Sequence, residues 1–155
     1  MKKLLIISVS DLRNDPRVLR QIDLLKEDYV VTTVGYGQAP DGVKQHVGLT
    51  RPAPTTFFQK LRKAFLSLLG LRQRSYMEFP GIAQAKEWLD SNPDQYDAIL
   101  VNDLSPVPLA AATGKPFHVD LHEYALGQHP TLLWRLYQLP VLKWAATKLR
   151  DARSV

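Results

Sequence analysis

The chain has 155 residues, enough for one domain whose core hides roughly two-thirds of the unfolded surface. Apolar residues make up 45% and charged residues 23%, ordinary globular usage; no apolar run approaches the ~18 residues of a membrane span, and the lack of cysteine excludes disulfides and thiolate metal sites and fits a reducing compartment. Net charge is +5, but the segment from Arg51 to Arg74 holds six basic residues and no acidic one, against 14 basic and 15 acidic elsewhere, which argues against a nucleic-acid-wrapping chain.

Met1-Lys2-Lys3 followed by Leu4 to Val9 has the outline of a signal peptide. The apolar stretch is too short and meets Asp11, Arg13 and Asp15, so it reads as a first strand, Lys3 to Val9, of a cytoplasmic protein. A helix should start at Asp15-Pro16, with Asn14 or Asp15 as N-cap and Pro16 at the first helical position. Val18, Ile22 and Leu25, with Leu19 beside them, form its apolar stripe. Tyr29 to Val34 is a second strand, rich in β-branched residues, and Val43 to Leu49 a short edge strand. Thr55 or Thr56 caps a helix over Phe57 to Leu69, with Gly70 as its stop. A further helix covers Pro80 to Asp90. Strands over Tyr96 to Val101 and Phe117 to Leu121 flank a short helix from Ser105 or Pro106 to Thr113. The last stretch, Pro130 to Arg153, reads as helix broken or kinked at Pro140.

Strands alternating with helices imply a Rossmann-like, three-layer α/β/α fold with a mostly parallel sheet and helices on both faces. A strand should follow the last helix, so the chain is expected to be part of a larger protein.

Three apolar runs end in polar loops. The first reaches Asp11, Asn14, Asp15 and Arg17, the second Asn102 and Asp103, and the third His122 and Glu123. In open α/β sheets ligands bind at the carboxyl ends of the strands, so the three ends point to one composite site. There is no GxGxxG or GxxxxGK[ST] run, so a dinucleotide-binding first loop is not indicated. Asn14 and Asp15 could simply cap the first helix, and Asn102-Asp103 the helix after Ser105-Pro106. His118 and His122 are four apart, but in a strand, so a shared metal is not expected. His122 at a strand end beside Glu123 suits hydrogen bonding or proton transfer. His46 and His129 have no evident partner.

The run from Phe57 to Leu69 is amphipathic: Phe58, Leu61, Phe65 and Leu68 share one face, with Gln59, Lys60 and Lys63 toward another. Such a basic helix either packs its apolar side on the sheet or meets a membrane surface or partner. Lys60, Arg62, Lys63, Arg72 and Arg74 are the candidates for contact with anionic lipid.

Ser10-Asp11, Asp15-Pro16-Arg17-Val18, Leu25 and Val30 to Gly35 resemble the opening of family 4 glycosyltransferases. The same resemblance covers Tyr96 to Leu104 and Gly114 to Glu123, with the pair Asn102-Asp103 and the run Asp120-Leu121-His122-Glu123; residues 38–80 match nothing distinctive. The resemblance implies the N-terminal, acceptor-side half of a GT-B architecture, moving a sugar with retention from a nucleotide-sugar to a glycan, lipid-linked or surface-polysaccharide acceptor. By position, His122 would be the catalytic histidine that reaches the transferred sugar. Asp11 and its neighbours would lie over the acceptor. The family needs neither metal nor cofactor. It binds the nucleotide-sugar mainly through a second domain, in cis here or on a partner chain, and without that domain this chain is expected to be inactive. A cytoplasmic place at the inner face of the plasma membrane follows. Two alternatives stand beside it: a non-catalytic interaction module of the same fold working with a separate chain, and a receiver-like domain, disfavoured because Leu121-His122 stands where a lysine belongs.

Overall fold

A computed structural model of the chain describes residues 1–51, 53, 55–79, 81–121 and 132–155, with the Leu133 side chain outside the description. Five strands form one parallel sheet: β1 (Lys2–Asp11), β2 (Tyr29–Tyr36), β3 (Gln45–Leu49), β4 (Ala98–Asn102) and β5 (Phe117–Asp120), in the order β3-β2-β1-β4-β5. The order reverses between β1 and β4, which places the topological switch point there. The register pairs Leu4 with Ala98 and Ser8 with Asn102, so the ends of β1 and β4 rise together. Asn102 in turn pairs with Asp120 of β5.

Successive β1 side chains feed opposite layers. Leu4 and Ile6 pack with Val18 and Ile22 of α1 (Pro16–Leu25), while Leu5 and Ile7 join a larger core on the other face. That core takes Tyr76 of α3 (Arg72–Met77), Ile82, Ala85 and Leu89 of α4 (Ile82–Ser91), Val107 and Leu109 of α5 (Val107–Ala112), and Val141, Leu142 and Ala145 of α7 (Leu139–Ala146). The three-layer α/β/α arrangement expected from the alternation is thus present.

The structure moves several boundaries. β1 continues through Ser10 to Asp11, past a register shift beyond Ile7. Residues Leu12–Asn14 form a short 3-10 turn before α1. The first strand is confirmed as structure of the folded domain, with Leu5, Ile6 and Ile7 fully buried. The helix α3 was not foreseen; it is only six residues long and its sequence carries no cap, so nothing local announces it. The break in the last helical stretch falls at Gln138, between α6 (Leu132–Tyr137) and α7, and Pro140 sits in the first turn of α7, where its missing N–H is harmless. Residues 153 and 154 then run parallel beside β5: Arg153 N–H donates to the Phe117 carbonyl at 2.8 Å and Val119 N–H to the Ser154 carbonyl at 3.0 Å. His118 is exposed on this edge and meets the Ser154 hydroxyl. His46, for which the sequence suggests no partner, is held between the Thr33 hydroxyl at 2.9 Å and the Gly37 carbonyl at 3.3 Å.

The helix α2 (Phe57–Leu68) forms where expected. Thr56 and Gln59 cap its start reciprocally, and Gly70 stops it in the left-handed region at φ 74°, with Leu71 N–H donating to the Leu66 carbonyl at 2.9 Å. Its orientation is not the one expected of a helix packed on a sheet. Lys63, Ala64 and Ser67 face inward, and Phe58, Leu61, Phe65 and Leu68 face out. Lys63 is therefore corrected from a surface candidate to a buried one. Its amine lies 4.9 Å from the centre of the Phe79 ring, and burial pushes its pKa down, against a smaller upward pull from Glu78.

A candidate ligand site at the carboxyl edge of the sheet

Asp15, itself extended, joins the 3-10 turn to α1 and caps the helix, its Oδ1 accepting from the N–H groups of Arg17 at 3.2 Å and Val18 at 3.4 Å. Its other oxygen accepts from the Ser10 hydroxyl at 2.8 Å, and Ser10 in turn meets Ser8 at 2.9 Å. Burial alone would raise the Asp15 pKa. The Ser10 bond, the two backbone N–H groups and the Arg17 charge outweigh it and hold the carboxyl below its ordinary value.

Pro16 at the first helical position sets the helix direction, so Arg17 projects over the end of β4. There it makes a two-pronged pair with Asp103, Nη1 to Oδ1 at 3.1 Å and Nη2 to Oδ2 at 3.0 Å, and reaches Asp15 at 3.5 Å. The hydrogen bond to Asp103 is the largest reason its pKa is raised. Asp103 makes this possible by leaving the strand in the left-handed region, φ 68°, where aspartate is tolerated better than most side chains. Its own N–H donates to the Asp120 carbonyl at 2.9 Å.

One turn further along the same face of α1 stands Gln21. Its side-chain amide pairs reciprocally with that of the fully buried Asn102, at 3.0 and 2.8 Å, and also donates to the Asp120 carboxylate at 2.6 Å. Neither Asn102 nor Asp103 caps α5, whose N-cap is Pro106 without a side-chain bond. That alternative is set aside. Asp15 both caps its helix and belongs to the cluster.

On the β2–β3 side of the edge, Asp11 pairs with Arg51. Gly37, at φ 87°, leaves room for the Asp11 carboxylate, which any Cβ there would overlap. Arg13 reaches Gln38. Among the described residues, two buried polar atoms at this edge have no hydrogen-bond partner: Arg17 Nε and the Tyr36 hydroxyl, whose pKa is raised by burial. Asn14 lies exposed in the turn, with no side-chain partner among the described residues. Below the cluster, between α1 and the β4–β5 face, runs a largely apolar groove of about 440 Å³ lined by Leu25, Tyr29, Leu100 and Phe117, with Gln21 and Asp120 at its rim.

The structure thus brings together Asp15, Arg17, Asn102 and Asp103, four of the residues expected at one composite site, and places Asp11 in a separate pair along the same edge. His122 and Glu123 fall outside the described residues. Sequence reasoning missed Gln21, Asp120 and Arg51. Gln21 could have been found from its position four residues after Arg17, which puts both on one helix face. Asp120 stands in the Asp120-Leu121-His122-Glu123 run, but its place in the cluster, like that of Arg51, becomes visible only through strand register. Among the described residues no group of three or more His, Asp and Glu side chains is arranged to hold a metal ion, and no helix is long and apolar enough to cross a membrane. Compared with protein-family models and with curated proteins, the chain matches none.

Proposed function

We propose that this domain holds the acceptor in a retaining sugar transfer from a nucleotide-sugar, as the N-terminal half of a GT-B glycosyltransferase. The observation that carries the reading is the convergence of Asp15, Arg17, Gln21, Asn102, Asp103 and Asp120 at the switch point of a parallel sheet. Carboxylates and side-chain amides in a fixed frame are the groups that select among hydroxyls. Arg17 sets the aim of Asp103, which is 40% exposed and keeps capacity to accept from a ligand. Fold alone does not assign this activity; the resemblance of the strand-end motifs supplies the reaction. In it His122 reaches the transferred sugar, and the donor diphosphate is stabilised by a second domain or partner chain.

The test is titration of the isotope-labelled chain with a panel of methyl hexosides and short oligosaccharides, read by amide and side-chain NMR shifts. Saturable shifts at Gln21, Asn102, Asp103 and Asp120 are expected, weakened by Asp103→Asn. A folded chain with no saccharide-dependent shift at these residues would overturn the acceptor role. Incubation with nucleotide-sugars and acceptors should yield no transfer by this chain alone. Transfer without a second polypeptide would overturn the division of labour between two domains. The second reading, a non-catalytic module, is favoured by the mutual pairing of Arg17 with Asp103 and Gln21 with Asn102, which already satisfies much of the cluster. It predicts no saccharide-dependent shift at these residues.

A further inference from the structure

The helix α2 is turned inside out relative to its neighbours. Phe58 is 80% exposed, Phe65 60% and Leu68 77%, while the charged Lys63 is buried on the opposite side. Phe57, Leu61, Leu69 and Leu71 are exposed with them, so that seven of the thirteen large exposed hydrophobic side chains among the described residues fall within one stretch of fifteen. Leu132 and Leu136 of α6, which packs against α2, are exposed as well. Isolated exposed leucines are ordinary, but a contiguous patch built on one helix face marks a docking surface.

The charges around the patch identify what it meets. No acidic residue occurs from Arg51 to Arg74. Arg62 is paired with Glu78 at 2.5 Å, but no ion pair among the described residues involves Lys60, Arg72 or Arg74. Arg72 and Arg74 are exposed on α3, directly after the turn that ends α2. Aromatic and leucine side chains flanked by unpaired cations, on a helix lying along the surface, are the composition that settles into the boundary between headgroups and acyl chains of an anionic bilayer. A protein partner of the same shape would have to bring its own acidic rim; an anionic bilayer presents one everywhere.

We propose that the outward face of α2, with the start of α3, docks this domain on an anionic lipid surface, Phe58, Leu61, Phe65 and Leu68 entering the interface and Lys60, Arg72 and Arg74 facing the phosphates. This goes beyond the acceptor role and stands without it, since the patch shares no residue with the carboxyl-edge cluster.

The experiment is co-sedimentation of the full chain with vesicles of phosphatidylcholine alone and with about one-third phosphatidylglycerol. Binding to the anionic vesicles is expected, at least tenfold stronger than to neutral ones and weakened by salt. R72Q/R74Q should lower it by about 25-fold, each cation near the surface being worth about fivefold. F58S/F65S should lower it as well. Because these four side chains are exposed, circular dichroism and thermal unfolding of both variants should match the parent. Equal partitioning onto the two vesicle types would overturn the proposal, as would no partitioning. So would concentration-dependent dimers that F58S/F65S abolishes, which would make a second copy of this chain the occupant.

Discussion

Helices α1 and α2 carry the same kind of sequence pattern and use it in opposite ways. Both are amphipathic, both are capped by a side chain at the N-terminus, and both stop cleanly. α1 turns Val18 and Ile22 onto the sheet and its polar side to water, with Arg17 and Gln21 at the sheet edge. α2 turns its phenylalanines and leucines to water and its lysine and serine inward. A period of 3.6 residues specifies a helix with two unlike sides. It does not specify which side meets the rest of the protein. α1 is pinned by short connections to β1 and β2, so its apolar face has one place to go. α2 sits in the long crossover from β3 to β4, shared with α3 and α4, where α4 supplies much of the apolar cover and α2 rides outside.

The largest effect that separates the two helices is on stability. Ile22→Ala, in α1, removes a fully buried side chain and should cost about 3 kcal/mol. Phe58→Ala or Leu68→Ala, in α2, should stay within about 0.5 kcal/mol although each deletes as much apolar surface. Urea unfolding of the three variants measures this directly. A cost at Phe58 comparable to that at Ile22 would mean that α2 packs the other way round.

Next in size is the ionic edge of α1. Arg17→Met leaves Asp103 and Asp15 without their cation and should destabilise by about 1–2 kcal/mol, moderated by the partial exposure of Asp103. A double-mutant cycle with Asp103→Asn should return a coupling of about 1 kcal/mol. Additive single effects would show that the two-pronged pair contributes nothing beyond its parts.

Asp15→Ala should cost about 1 kcal/mol through the lost cap, and it carries a pH signature. The folded carboxyl lies below the unfolded value of about 3.9, so in the window between them the unfolded chain binds more protons. Asp15 therefore contributes stability above that window and loses it as pH falls through the folded value. The variant should show a flatter acid limb in unfolding measured from pH 6 down to pH 3. An unchanged limb would remove Asp15 from the network.

The strand-end rule made much of the cluster legible in the sequence, because β1 and β4 each present polar residues immediately after an apolar run. Asp15-Pro16 was readable as a helix start for the same local reason. What stayed hidden was relational. Asp120 enters only because Asn102 and Asp120 are register partners, and Arg51 only because β3 ends level with β1. The inward turn of Lys63 was hidden in another way. Its neighbours Phe58 and Phe65 are the better candidates for burial by transfer free energy, and only the packing of α3 and α6 against the opposite face of α2 decides against them. Local pattern gave the elements; the order in which they compete for one core gave the faces.

Lys63 makes the smallest and sharpest test of that competition. Its stem is packed and its amine rests over Phe79, a contact worth about 1 kcal/mol at a partly buried place, offset by a desolvation cost of similar size. Lys63→Met keeps the stem and removes both terms, so stability at neutral pH should change by less than about 1 kcal/mol, in either direction. The pH dependence should change more clearly. Burial lowers the folded pKa below the unfolded value of about 10.4, so the unfolded chain binds more protons in the window between, and the parent gains stability as pH rises through it. Lys63→Met should lack that alkaline gain. It should also leave vesicle binding intact, whereas R72Q/R74Q weakens binding and leaves stability intact. Two sets of cations in one basic segment would then separate by burial alone, one belonging to the inside of the helix layer and the other to the membrane-facing surface. Weakened vesicle binding by Lys63→Met at unchanged stability would instead place its amine outside and reverse the orientation of α2.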